Sequence, residues 1–519
     1  MFRDTLIKAE KYFFILLAVL HILPVLLVGF FVTHDGPAHV YNASLIVRVF
    51  FHEANASQFL MLNPEAEPNW IGHFLMAIMN QFFSGNVSER ILISAYVIFL
   101  PLAFRKFILV INPQAAWASY LIFPFIHSFL LYMGFYNFCL GLPVLFFTLA
   151  YWISSSHSLN PQKAVLLSFL LLLLYFSHLF VLALFFFAAA ISIVVEFFPR
   201  NKAHILSAIK NMFRQTGILF AVSLPALVLT FNFMLKKTSE QVLGDGRSFS
   251  ELIEWILIAQ PLITFKREGE IIFAVVIAAV TGLLLLNLVY AVVREKYSPA
   301  GYLWMLFTLL IVIFYFLIPD NAVTGGFIAM RLLLVFYLFL FVCFAAAAIR
   351  PVLKNISVAV FISVSGYFLK YHYAVEKILS EDAKEYHSLT KEMNDNSVIL
   401  PLFYSDNWMH NNIAAYLGAS RGIFILDNYE PYKPHFPLIW KPGKAPSKII
   451  GNLGSYAPCV DIDAFESTTK TRIDYITRWH YNLTLKDSCT MSINKMLANN
   501  FERIYVSPTG AAELFKRKK

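Results

Sequence analysis

The sequence predicts a mainly α-helical fold: a polytopic membrane helical bundle of about 11 spans, followed by a C-terminal extracytoplasmic α/β domain. Three observations carry this. Of 519 residues, 58% are hydrophobic and only 14% are charged, against roughly 45–50% and about 25% in soluble chains. Mean hydropathy is +0.64, and a soluble protein this apolar could not cover itself, which sets aside disorder, a secreted disulfide scaffold and an ordinary cytosolic enzyme. The apolar residues come in runs near the length of about 20 that crosses a bilayer, until the composition turns polar after about residue 373.

The first run, Tyr12 to Val32, has no small-residue cleavage site behind it and exceeds the core of a signal peptide, so it reads as a retained span. Further spans are expected at about 90–110, 115–133, 138–155, 163–180, 181–198, 216–235, 270–293, 301–318, 326–349 and 355–372. Residues 69–83 are apolar but too short to span comfortably, which places them at the membrane surface. The run 163–198 is roughly twice a span and is interrupted by Ser177 and His178, which predicts two helices meeting at a tight turn.

Orientation follows from Lys and Arg in the short loops. With the N-terminus cytoplasmic, the inner connections carry Arg105, Lys106, Lys163 and the cluster Arg200, Lys202, Lys210 and Arg214. The net charge of +9 then reads as a positive-inside signature of a multi-pass cytoplasmic-membrane protein, and no nucleic-acid partner is expected. An odd number of spans puts the polar tail outside.

In that tail the β-rich runs SVILPLFY, GIFILDNY and RIYVSP alternate with helix-compatible stretches. The expected division is therefore a membrane domain over 1–372, with its first outward loop at 33–89, and an α/β domain over 373–519. Cys459 and Cys489 are candidates for a disulfide, which suits an oxidising compartment; two unpaired thiols are the alternative. Cys139 and Cys343 fall in spans and read as small apolar fillers.

The stretch richest in chemistry is THDGPAHVYNASLIVRVFFHE, residues 33–53, where the chain leaves the first span and an amphipathic helix follows. Pro37 suits the first turn of that helix and Asp35 its cap. Asp35 and His39, four residues apart, also share a helix face, which sets a carboxylate beside a group that titrates near neutrality, the usual setting for taking a proton from a hydroxyl. Spacing alone leaves both readings open. No P-loop, GxGxxG, GxSxG, CxxC or HExxH pattern is present, so nucleotide hydrolysis and serine or zinc-protease chemistry have no support.

The order HDGPAH, then PEAEPNWIGHFLMAIMNQFFSG, then SERILISAYVIFLPLAFRKF resembles the GT-C superfamily of membrane glycosyltransferases, in the layout of its bacterial family-39-like branch. The turn GFYNFCLG at 134–141 matches that branch as well, and the resemblance covers roughly residues 1–372. It implies transfer of a sugar from a polyprenyl-phosphate-linked donor to an extracytoplasmic glycan or lipid acceptor, among membrane lipids. Asp35 matches the catalytic carboxylate and general base, with His39 as its partner or an acceptor contact. Arg331 in GGFIAMRLLLVF matches the ligand of the donor phosphate; its alternative is a side chain snorkelling to the interface. His34, His73, Asn137 and His178 are the remaining substrate-binding candidates, His178 being equally readable as a packing residue and Asn137 as turn chemistry.

One departure matters. Where relatives place a second acidic residue, this chain has His73 and Asn137, so a divalent-metal mechanism loses support and no metal or other cofactor is expected. His34, His39, His73 and His178 could instead build a transition-metal site, although they show no two-His helical spacing with a third ligand. Two other function classes stay open. A transporter or flippase of lipid-linked glycans would need inverted repeats and charged or broken helices at midplane, and the missing acid also allows a non-catalytic GT-C scaffold.

Overall fold

The computed structural model describes residues 2–197, 205–237, 246–294, 296–321, 326–453, 458–481 and 487–519. The expected inner-loop cations Arg200 and Lys202 lie outside the described residues. The chain divides into two compact units, one made of Met1–Leu23, Ala95–Tyr132 and Asn137–His372, the other of Pro24–Ser94, Met133–Tyr136 and Tyr373–Lys519. The outward loop expected at 33–89 thus clusters with the C-terminal residues and not with the membrane helices it follows in sequence.

Among the described residues, seven helices are long and apolar enough to cross a membrane, in place of the eleven expected. They are Lys8–Leu26, Gly85–Ile111, Tyr136–Ser158, Ile209–Lys236, Arg267–Val293, Ile328–Ala345 and Pro351–Glu392. The other apolar helices, Ala116–Phe125, Pro161–Ser177, Leu179–Val195 and Gly301–Leu317, have only 10 to 17 residues in that register. The segment expected as a span at 115–133 departs most. It is a 3-10 helix, Ala116–Phe125, followed by a four-residue α-helix, Phe129–Tyr132. Pro124 removes a donor from the helical ladder, and the Ser119 hydroxyl donates to the Ala116 carbonyl three residues back at 2.6 Å, both of which favour the tighter, shorter helix. The first span also breaks. Phe2–Leu20 ends where the His21 ring donates to the Leu17 carbonyl at 2.7 Å, and a short turn, Leu23–Leu26, carries Pro24. The run 163–198 is two helices, Pro161–Ser177 and Leu179–Phe197, joined through an extended His178.

The second unit contains a five-stranded mixed sheet in the order Phe424–Ile425, Val398–Phe403, Tyr475–Trp479, Ala512–Arg517, Phe501–Val506. The first three strands are parallel and the last two antiparallel to their neighbours. Val398–Phe403 is buried at every position, as the unbroken apolar run VILPLF requires of an interior strand. Two features bind the N-terminal segment of this unit to its C-terminal one. Leu60–Leu62 pairs antiparallel with Leu438–Trp440. Helix Gly36–Phe50 is buried on nearly all sides, so it is not the amphipathic surface helix that its sequence suggested. Its Tyr41 hydroxyl accepts from the Ile425 backbone at 2.8 Å, and Arg48 donates to the carbonyls of Ile423 and Gly422 at 3.1 and 2.9 Å. Residues 69–83 yield a nine-residue helix, Ile71–Met79.

Cys459 and Cys489 are joined by a disulfide that closes a sequence separation of 30 residues. Releasing a loop of that length restores roughly 3–4 kcal/mol of chain entropy to the unfolded state. Cys459→Ser is therefore expected to lower the thermal stability of the protein by about that amount, and dithiothreitol should bring the parent chain to the variant's melting temperature. A variant that melts with the oxidised parent would contradict this.

Candidate active site

Asp35 occupies the N-cap position of helix Gly36–Phe50, but its side chain makes no capping hydrogen bond. The first turn is served instead by Thr33, whose hydroxyl accepts from the Gly36 backbone at 3.0 Å. The carboxylate of Asp35 is thus left for other work, which removes the simple capping reading. The turn GFYNF holds the backbone around it. Gly134 has φ +81°, a conformation that favours glycine, and a β-carbon there would come within 2.8 Å of the Asp35 β-carbon and backbone nitrogen. The Asp35 N–H donates to the Met133 carbonyl at 3.3 Å. Tyr136 from the same turn donates to buried Glu89 at 2.6 Å, and Tyr416 donates to the other Glu89 oxygen at 2.8 Å.

His39, one turn further along, meets two acceptors. Its Nδ1 lies 2.6 Å from Glu430 Oε1 and its Nε2 lies 3.0 Å from the Gly134 carbonyl. A carboxylate and a carbonyl have no proton to offer, so both ring nitrogens must donate and the ring is an imidazolium. The second oxygen of Glu430 accepts from His73 Nε2 at 2.9 Å. All three residues are buried, with exposures of 5% for His39 and 1% each for His73 and Glu430, so the charges have little water to answer them and must answer one another. The electrostatics agree. Burial opposes both charges, but the imidazoles of His73 and His39 carry Glu430 down to about 2. Burial likewise works against His39, and the Glu430 carboxylate overrides it to raise the ring above its ordinary value.

Asp35 has the opposite balance. Burial raises its carboxyl above the ordinary carboxylate value, and the charges of His39 and His34 with a hydrogen bond from Tyr429 oppose the rise only in part. Its side chain keeps 17% exposure, and His34 Nε2 lies 3.8 Å from its Oδ1. His34 is oriented by its other nitrogen, which donates to the Trp408 carbonyl at 2.8 Å, and Asn412 donates to Asp35 Oδ1 at 3.4 Å. A reachable carboxylate whose pKa is moved toward neutrality is what proton abstraction near neutral pH requires.

The structure brings Asp35, His34, His39 and His73 together within one unit and places Asn137, His178 and Arg331 in the other. Arg331 is only 7% exposed, within a helix buried along almost its whole length, so it does not snorkel. Its guanidinium lies over the Phe138 ring at 5.6 Å. His178 accepts from the Phe180 backbone through Nδ1 at 3.1 Å and meets the Phe138 ring edge-on at 5.6 Å, the behaviour of a packed turn residue. Asn137 is buried in the first turn of helix Tyr136–Ser155. Sequence reasoning missed Glu430, Tyr429 and Asn412. The second carboxylate that the sequence lacked near His73 comes from the tail, and with His39 and His73 it makes the one three-residue set among the described residues that could hold a metal ion. Only the unexplained acid in NYEPY could have drawn attention to it.

With seven helices among the described residues that are long and apolar enough to cross a membrane, the chain has the build of a multi-pass membrane protein. Over 98% of both chains the fold is similar to the crystal structure of ArnT from Cupriavidus metallidurans bound to undecaprenyl phosphate, at 9% identity and a TM-score of 0.56. The same ArnT in its apo state matches over 98% of both chains at 10% identity and a TM-score of 0.56. At that identity the likeness establishes the fold. No protein-family model and no curated protein sequence matches the chain.

Glu430→Gln removes the charge that two buried imidazoles answer, and breaking a buried pair in this way costs about 3–5 kcal/mol. The pH dependence follows from the shifts. Glu430, held below its ordinary 4.5, contributes stability above that value and loses it as pH falls toward about 2. His39, held above its ordinary 6.5, contributes in full below that value and loses it as pH rises through its raised pKa. Melting temperature should thus be highest between the two limbs, and Glu430→Gln should lower and flatten the maximum. An unchanged profile in the variant would contradict the pairing.

Proposed function

We propose that this protein is an integral membrane glycosyltransferase that moves a sugar from a polyprenyl-phosphate-linked donor to a hydroxyl of a glycan or lipid acceptor on the extracytoplasmic side of the cytoplasmic membrane. The observation that carries this reading is the state of Asp35: reachable, uncommitted to its helix, and raised by burial toward the working pH of a base. The likeness in fold to an ArnT that binds undecaprenyl phosphate supports a lipid-linked donor.

In this mechanism Asp35 accepts the proton of the acceptor hydroxyl as its oxygen attacks the anomeric carbon. The bond from that carbon to the phosphate oxygen breaks, and polyprenyl phosphate leaves with the electron pair. The imidazolium of His39 keeps enough positive charge near Asp35 for it to ionise. His34 and Asn412 orient the carboxylate. On this reading residues 373–519 form an extracytoplasmic α/β domain that shapes the acceptor side of the site.

Asp35→Asn is expected to lower kcat by roughly 10²–10⁴-fold in a polyprenyl-phosphate-sugar transfer assay while leaving the melting temperature near that of the parent. Because the base must be ionised, kcat/KM should rise with pH along a limb centred above 3.8, the ordinary Asp value. Arg331→Lys, which loses the planar fork, should raise KM for the donor. Equal turnover by Asp35→Asn and the parent would overturn the assignment of the base, and no turnover of any polyprenyl donor would overturn the reading.

A further inference from the structure

We infer that His39, His73 and Glu430 form a binding site for a single divalent transition-metal ion of the zinc type. Three observations converge. The ligand atoms of the three side chains lie within 4.8 Å of one another, and all three residues are buried. His39 Nδ1 and His73 Nε2 already point at the same carboxylate, from 2.6 and 2.9 Å. The far nitrogen of His39 donates to the Gly134 carbonyl at 3.0 Å, the outer hydrogen bond that metal-ligating histidines nearly always make.

Two imidazoles and a carboxylate are the donor set of a three-ligand zinc site that keeps a fourth position open, and they disfavour magnesium and calcium, which demand oxygen. Zinc bonds of about 2.0–2.2 Å set tetrahedral ligand separations near 3.4 Å, so a pair at the 4.8 Å limit has to close by about 1.4 Å.

The protons balance. In the ion-free form His39 holds one on each nitrogen; loading releases the one on Nδ1 to solvent and leaves Nε2–H on the Gly134 carbonyl. The Nε2 proton of His73 leaves as its lone pair turns to the ion. His73 Nδ1, buried and without a hydrogen-bond partner among the described residues, takes up a proton in its place. One proton is released overall, and a dipositive ion then stands where the imidazolium stood beside Asp35.

The test reads ion content and not turnover, so it stands apart from the transferase reading. Full-length protein carrying no histidine tag, purified in detergent and stripped with chelator, is titrated with zinc and assayed by mass spectrometry after gel filtration. One zinc per chain is expected, with none retained from magnesium. Cobalt should give the intense visible bands of a four-coordinate ion. His73→Asn and Glu430→Gln should each weaken zinc binding by more than about 100-fold, beyond what loss of an outer hydrogen-bond partner does, while His34→Gln keeps the stoichiometry. Sub-stoichiometric zinc in the parent would overturn the site, as would unchanged binding in His73→Asn and Glu430→Gln. Where those variants fail to fold, the parent's cobalt spectrum decides: weak six-coordinate bands overturn it.

Discussion

A carboxylate taken fully out of water has to be answered, and Glu430 is answered by two imidazoles that lie 391 and 357 positions away in the chain. Without it the His39 imidazolium would lose its counter-charge and His73 Nε2 its acceptor, and Glu430 could not stay ionised without them. This mutual requirement ties the tail segment 428–436 to helices Gly36–Phe50 and Ile71–Met79. Next to it, Asn42 and Asn428 exchange amide hydrogen bonds at 3.0 and 2.9 Å, and Phe436 packs against the His73 ring with centroids 5.4 Å apart. The charge network therefore serves as the joint of its unit, at a place where apolar packing alone would leave the register of the tail unspecified.

The same joint sets the chemistry of Asp35. The Gly134 carbonyl is fixed by His39, so the turn that carries it closes over the Asp35 backbone, where only glycine fits. Thr33 takes over the first helical turn, and Tyr136 is held by Glu89 and hydrogen-bonded to Thr33 at 2.8 Å. Asp35 is left as the carboxylate with partial access to solvent and no full counter-charge. Two acids in one unit are thereby pushed in opposite directions: burial prevails at Asp35 and raises it, while two imidazoles hydrogen-bonded directly to Glu430 outweigh burial and lower it.

Much of this was legible in one dimension. HDGPAH and GFYNFCLG stand out as polar and glycine-bearing breaks in apolar sequence, and both border the site. Their mutual contact was not legible, because no spacing rule joins residue 39 to residue 134. Glu430 was not legible for the same reason: it arrives from the tail, 357 positions from His73. The segment expected as a span at 115–133 departs for a different reason. Hydropathy sums the apolar character of 115–133 but is blind to Pro124 and Ser119, which shorten the helix. The composition changes at 373, where the chain passes from one unit to the other within the helix Pro351–His387.

By itself the sequence determined that this chain is a helical membrane protein with a polar tail, because solvation energy is additive along the chain and composition alone reveals it. It also determined that Asp35 begins a helix, since Pro37 and the apolar pattern behind it are local constraints. Only the tertiary structure decided which acid is raised and which is lowered. A pKa depends on burial and on charges a few ångströms away, and those neighbours are chosen by the fold and not by the order of residues.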